Sequence, residues 1–274
     1  MIEVSGLHFT YPTGVEALRG VSTKIGKGEF VAIMGENGAG KTTLAKHFNG
    51  LLKPSRGKVF VNGIDTRKAS VAELSRKVGL VFQNPDHQFF CETVKEEIAF
   101  GLRNFGFPRE AIKERVKWAL ALLGLTKYEK SSPFVLSGGE KKRLALASVL
   151  AWDPEVLIID EPTIGQDYAQ KEKLRHFIAQ LIAKEKAVII ITHDIEFVAD
   201  CSPRVIVMSR GRIVMDGPAW TVLTNHKQIL KAALIPPQVT QVFIKLSDLG
   251  MPTGIIGVNE ARDLLVERLL GASG

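Results

Sequence analysis

The run Gly35-Glu36-Asn37-Gly38-Ala39-Gly40-Lys41-Thr42, followed by Thr43, has the residue types and spacing of a phosphate cradle. Its glycines let the backbone wrap closely round an anion and aim successive N–H groups at it. A helix opening near Lys41 would add its positive end. Lys41 itself brings a full charge to the β- and γ-phosphates of a nucleotide, and the Thr42 hydroxyl is placed to ligate Mg2+.

A second group of residues can do chemistry on such a ligand. Val156-Leu157-Ile158-Ile159 is an apolar run ending in two acids, Asp160 and Glu161. Ligands of α/β sheets sit at the carboxyl edge, so Asp160 would meet the Mg2+ directly or through water. Glu161 is then positioned to orient or deprotonate an attacking water. A third run, Val188–Thr192, ends at His193-Asp194, and Gln83 follows Val78–Phe82. Alone, His193 fits a solvent-facing histidine and Gln83 fits any strand end. Delivered together to the edge that holds the phosphate loop, they become a constellation. Ser137-Gly138-Gly139-Glu140 reads as a capped helix start with a capping box, and equally as a second anion site built from backbone N–H groups.

These residues need strands and helices to place them. Phe30–Met34, Val78–Phe82, Val156–Asp160 and Ala187–Thr192 read as short strands buried on both faces. Pro108–Leu123 and Ala169–Lys184 read as helices, and another helix runs from Leu136 to about Leu150. Ile2–Tyr11 and Ala17–Ile25 alternate as strands across the turn at Pro12-Thr13-Gly14, and Val205–Ser209 with Arg212–Met215 form a closing hairpin. The expected class is α/β: a mainly parallel sheet with N-terminal antiparallel strands. From about 85 to 151 helices dominate, predicting an inserted helical subdomain. A boundary near 225, with Pro236-Pro237 beyond it, separates residues 1–225 from a small C-terminal helical appendage (226–274), which carries helices at Val239–Leu249 and Glu260–Leu270.

The 274 residues carry a net charge of +7, with 45% hydrophobic and 24% charged residues, as in an ordinary globular protein. A basic balance suits nucleic acid, an anionic membrane face or nucleotides. The lysines and arginines are spread along the chain, however, and a dispersed solvated surface explains the charge as well. The two cysteines, Cys91 and Cys201, have no metal-ligand spacing and fit a reducing compartment. The start, MIEVSGLHF, lacks a basic leader pattern and predicts no signal peptide. No apolar run approaches the roughly 20 residues that span a bilayer.

Taken together, Gly35–Thr42, Gln83, LSGGE at Leu136–Glu140, Val156–Glu161 and His193 resemble the ATP-binding-cassette ATPases, over about residues 1–225. The resemblance implies a P-loop NTPase core that binds ATP and Mg2+ and hydrolyses ATP. It further implies a head-to-tail dimer in which Ser137, Gly138, Gly139 and Glu140 face the partner's ATP. Tyr11 would stack on adenine, although it also fits a core aromatic. Gln83 would join Thr42 and Asp160 at the metal and sense the membrane partner, and His193 would contact the γ-phosphate. Asp167 would lie in a dimer-contact loop, where Gln166 and Tyr168 depart from the family pattern.

Phe82–Phe90 and the Pro236-Pro237 appendage are similar to the energy-coupling-factor importers of vitamins, cobalt and nickel. That resemblance implies a peripheral subunit on the cytoplasmic face of the membrane, with a second related or identical ATPase and transmembrane subunits as partners, the appendage being a candidate dimerisation element. Phe89 and Phe90, two large aromatics in a segment of polar and turn residues, are expected to line a groove for a helix of the transmembrane subunit, although burial of one of them in the subdomain core fits the sequence equally well. A conventional importer or exporter ATPase has the same motifs. A DNA-repair or chromosome ATPase would need long heptads between Lys41 and Ser137, where none is sustained, and no nucleic-acid partner is expected. A ribosome-associated ATPase usually carries two cassettes, and a non-hydrolysing module would not need both Glu161 and His193.

Overall fold

The computed structural model describes residues 1–271. Positions 272–274, the end of the expected appendage, lie outside the described residues. The chain begins with β1 (Ile2–Thr10), β2 (Glu16–Ile25), β3 (Phe30–Met34), α1 (Lys41–Phe48), β4 (Arg56–Val61) and β5 (Ile64–Asp65). It continues through α2 (Val71–Lys77), β6 (Val78–Val81), α3 (Val94–Asn104), α4 (Arg109–Leu122) and α5 (Gly138–Leu150). Next come β7 (Val156–Asp160), α6 (Tyr168–Ala183), β8 (Ala187–Ile191), α7 (Ile195–Cys201), β9 (Arg204–Ser209) and β10 (Arg212–Pro218). Last are α8 (Ala219–Leu223), α9 (His226–Lys231), α10 (Gln238–Lys245) and α11 (Val258–Gly271).

The strands form two sheets rather than one. The six-stranded sheet has the order β10-β9-β3-β8-β7-β6, parallel except for β10 at its edge. The N-terminal strands stand apart in an antiparallel sheet of order β2-β1-β4-β5. The sequence reading found β1 and β2 but missed β4 and β5. Arg56-Gly57-Lys58 at the start of β4 is polar and half exposed, so only Val59 and Val61 alternate inward.

Why β3, β7 and β8 read as unbroken apolar runs is plain from the layers around them. With period two, Ala32 and Met34 of β3 join one hydrophobic cluster, while Val31 and Ile33 join another. The first cluster is covered by α3, α4, α5 and α6, the helical side. The second lies between the parallel sheet and the antiparallel one, with Leu44, Ala45 and Phe48 of α1 filling the gap. The main core continues through Leu223, Ile229, Ala232 and Leu234, past the expected boundary at 225. Among the described residues, Phe243, Ile255 and Ala261 gather in a separate small cluster under α10 and α11.

The helical side is held against β6 at a close contact. A Cβ at Gly79 would lie 2.4 Å from Val149 Cγ1 of α5 and 3.0 Å from Pro154 Cγ. A side chain there must push α5 away from the sheet edge. Gly79→Ala should therefore destabilise the chain by about 1–3 kcal/mol through overpacking, read as a lower urea midpoint at unchanged slope. An unchanged midpoint would show that α5 can shift at no cost.

Candidate functional site

Following β3, the chain turns sharply before α1. Gly35 has φ +141°, and a Cβ on it would stand 2.0 Å from Met208 O of β9, so the loop lies tight against the neighbouring strand. Gly40, at the start of α1, has φ +99° and would place a Cβ 2.6 Å from Ala17 O. No side chain caps α1, and its first N–H groups are left open to an anion. Lys41 is buried and its ammonium donates to Gly35 O at 2.7 Å and Glu36 O at 2.9 Å. Burial pushes that ammonium down, partly opposed by the charges of Glu161 and Asp160. A cation held on its own loop by two neutral carbonyls has much to gain from a phosphate.

An open cavity of about 660 Å3 forms over this loop. Residues Asn37 to Thr43 line it from below, and Tyr11, Gln83, Asp160, Glu161 and His193 reach it from other elements. Gly35 and Glu36 do not line it. They lie behind, with Glu36 Oε1 accepting from Ser209 Oγ at 3.2 Å. Tyr11 Oη and Thr43 Oγ1 share a hydrogen bond of 2.9 Å, and the tyrosine ring stands edge-on to Phe9 at 4.9 Å.

Two hard oxygen donors meet in this cavity. Thr42 Oγ1 donates to Asp160 Oδ2 at 2.8 Å, although the two residues are far apart in the chain. Burial pushes the Asp160 carboxyl above the ordinary range, the neighbouring Glu161 charge adds to this, and the Thr42 hydrogen bond opposes it. A buried carboxylate beside a hydroxyl is short of positive charge, which is the donor chemistry of an Mg2+ site with phosphate oxygens completing the shell.

Glu161 is held with unusual firmness. Its carboxylate accepts from Thr192 Oγ1 at 3.2 Å and meets His193 Nδ1 at 2.9 Å. Its N–H donates to Ile191 O at 2.8 Å, and its backbone takes φ +51°, a left-handed conformation rare for glutamate. The acid is nearly buried, whereas the His193 side chain is 60% exposed toward the cavity. A fixed, dry carboxylate next to a phosphate site can position or deprotonate water.

Ser137, Gly138 and Gly139 do not line this cavity. The expected capping box is present: Ser137 N donates to Glu140 Oε2 at 2.9 Å, and the Ser137 hydroxyl caps α5. Hydrogen bonds from Tyr128 and Ser137 hold the exposed Glu140 carboxyl at about 2. Nothing stands within 4 Å of a Cβ at Gly138, so this helix start faces outward. Asp167 caps α6, accepting from Gln170 N at 2.8 Å, also away from the cavity.

One expectation is corrected, and besides Val15, Glu16, Ala17 and Arg19, which also line the cavity, one contribution remote in sequence was missed. Phe89 is a core residue at 6% exposure, packed in the helical-side cluster. The irregular stretch buries it because Gln88 Nε2 donates to Ala145 O and Ser148 Oγ of α5, while the buried Glu97 carboxylate takes Phe90 N and Cys91 N. Phe90 is 60% exposed and stands edge-on to Phe100 at 4.4 Å. The missed contribution is the β9–β10 turn. Arg210 and Gly211 line the nucleotide cavity, and Gly211 N donates to Ala39 O at 3.1 Å. Arg210-Gly211 read only as a hairpin turn, and no local signal ties it to a loop some 170 positions earlier in the chain. The parallel pairing of β3 with β9 does so.

Known proteins are similar to this chain in sequence and in fold. Residues 18–164 match the family model described as ABC transporter. The chain is 44% identical over 246 residues to an ABC transporter ATP-binding protein of Caldanaerobacter subterraneus subsp. tengcongensis, covering 90% of this chain and 43% of that one. It is 43% identical over 244 residues to the energy-coupling factor transporter ATP-binding protein EcfA of Methanocaldococcus jannaschii, covering 88% of both. The chain thus spans less than half of one relative and most of the other. Among solved structures, cbiO1 from Clostridium perfringens, part of the ABC transporter complex cbiONQ, superposes with a TM-score of 0.73. Their sequences are 36% identical, covering 84% of this chain and 93% of that one. With the phosphate loop, the paired acids and the outward-facing glycine helix in place, the chain belongs to the ABC transporter family of ATP-binding subunits.

Proposed function

We propose that this chain hydrolyses ATP to energise import across a membrane, as one ATPase of an energy-coupling-factor transporter. The observation that carries the reading is the convergence of Asn37–Thr43, Asp160, Glu161 and His193 on one cavity from three adjacent parallel strands. The similarity to EcfA and to cbiO1 supports the transporter class. No described helix is long and apolar enough to cross a membrane. The similarity to EcfA supports a peripheral position on the cytoplasmic face, beside transmembrane subunits.

The loop N–H groups and Lys41 take the triphosphate, and Tyr11 at the cavity's edge offers its ring to adenine. Thr42 and Asp160 would hold Mg2+, with Gln83 lining the same cavity, and the ion would supply positive charge against the triphosphate. Glu161 orients the attacking water and takes its proton, while Thr192 and His193 keep its carboxylate from swinging away. His193, exposed toward the cavity, also reaches the γ-phosphate. A second ATPase subunit completes the site, because the anion-binding start of α5 faces outward from its own cavity. Asp167 belongs to the contact loop between the two subunits. Phe90, with Phe100, offers the transmembrane subunit an aromatic anchor near Gln83.

Glu161→Gln keeps the shape of the side chain but removes the base. ATP binding should persist while steady-state turnover falls by about 10²-fold or more; turnover near wild type would remove Glu161 from the chemistry. The composite site is tested with mixed dimers carrying Lys41→Ala and Ser137→Arg. With the two changes on opposite chains, both fall in one site and up to half the activity remains; on one chain, each site carries a defect. Equal activities would argue that the sites act in cis, or that the two sites are fully coupled. Phe90→Ala should weaken co-purification with the membrane subunit by about 2 kcal/mol while leaving the isolated ATPase active. Undiminished co-purification would place the docking groove elsewhere.

A further inference from the structure

A second cavity, of about 600 Å3, lies between the helical side of the molecule and α6. It is distinct from the nucleotide cavity, yet both are lined by Gln83, Asp160 and Glu161. These three residues are a common wall. The opposite walls are apolar: Leu122 and Leu123 come from the end of α4, Leu146 from α5, and Leu174 and Phe177 from α6. None of these five is fully buried, so a hydrophobic surface stays wet in the free chain.

Three basic side chains stand at its border. Lys142, Arg143 and Lys173 border the cavity, and among the described residues none of them is in an ion pair. Lys142 is half-buried, donates to Ile164 O, and has its ammonium pushed down by burial. The acids of the shared wall are engaged on the nucleotide side, with Thr42, Thr192 and His193. The Glu161 charge acts on Lys142, but three cations against the two acids of the shared wall leave the border net positive, and an apolar chamber with such a border fits a ligand with a greasy body and one negative charge.

We propose that this cavity binds an amphipathic monoanion of the fatty-acid type, its hydrocarbon part between Leu146, Leu174 and Phe177 and its acid group at Lys142 and Lys173. The site is linked to nucleotide binding through Gln83, Asp160 and Glu161. Two anions on opposite sides of one thin wall repel, so each ligand weakens the other, and by the same factor. Binding itself does not depend on the ATPase reading; the linkage rests on it.

The test uses the full chain with 8-anilinonaphthalene-1-sulfonate as a fluorescent probe and decanoate as competitor. One saturable probe site is expected, displaced by decanoate. Lys173→Glu, a change on an exposed side chain, should raise the probe Kd about fivefold or more. Leu174→Trp, which fills the chamber, should do the same. Lys41→Ala should leave probe binding intact. A non-hydrolysable ATP analogue at saturation should raise the probe Kd about fivefold. Probe binding indifferent to both Lys173→Glu and Leu174→Trp, or lost in Lys41→Ala, would overturn the site. Binding that responds to the two variants but ignores the ATP analogue would overturn the linkage. Failure of the nucleotide reading would show separately, as ATP binding that Lys41→Ala does not weaken.

Discussion

Ile191 pairs with Ile33 of β3 on one side and with Asp160 of β7 on the other, and this register levels the three strand ends that matter. A slip of one residue would turn every side chain of the moved strand to the opposite face. β3, β7 and β8 are buried on both faces, so such a slip would also exchange their contributions to the two cores. Packing therefore fixes the level of the strands to within a residue. The phosphate loop, the paired acids and the histidine inherit that precision, because each begins where a strand stops. Thr42 and Asp160, 118 positions apart in the chain, share a hydrogen bond because the sheet levels the strand ends that carry them.

The chemistry was legible because it is written in short, contiguous segments. The loop from Gly35 to Thr42, the acids after Ile159 and the cap at Ser137 each announce themselves by composition alone. The same holds for strands buried on both faces, whose apolar runs end within a residue or so of the observed bounds. What stayed hidden depends on contacts remote in sequence. β4 and β5 lack an apolar run, since their sheet faces solvent on one side. The Arg210-Gly211 turn becomes part of the nucleotide cavity only through the pairing of β9 with β3. Phe89 was misplaced for a related reason. Polar neighbours suggest exposure, but here the polar groups of Gln88 and Glu97 are spent on tying the segment down, and the ring beside them goes inward.

These same ties bear on how the site meets the rest of the molecule. Lys141 of α5 pairs with Asp86 at 2.7 Å, and Gln88 bonds the next turns of that helix. The stretch after Gln83 is thus attached to the helix that begins at Ser137. Gln83 faces one nucleotide cavity, while the start of α5 faces away from it. In a paired arrangement, a shift at one nucleotide would be carried by α5 to the surface that meets the other.

The left-handed backbone of Glu161 has a consequence of another kind. A glutamate in that conformation costs on the order of 1–2 kcal/mol relative to glycine, which adopts it freely. Glycine, the residue that would relax the chain there, is also one that brings no carboxylate. If Glu161 is the base proposed above, thermostability and turnover are opposed at a single position, and a search of variants for resistance to heat alone would be drawn toward a more durable protein without that carboxylate.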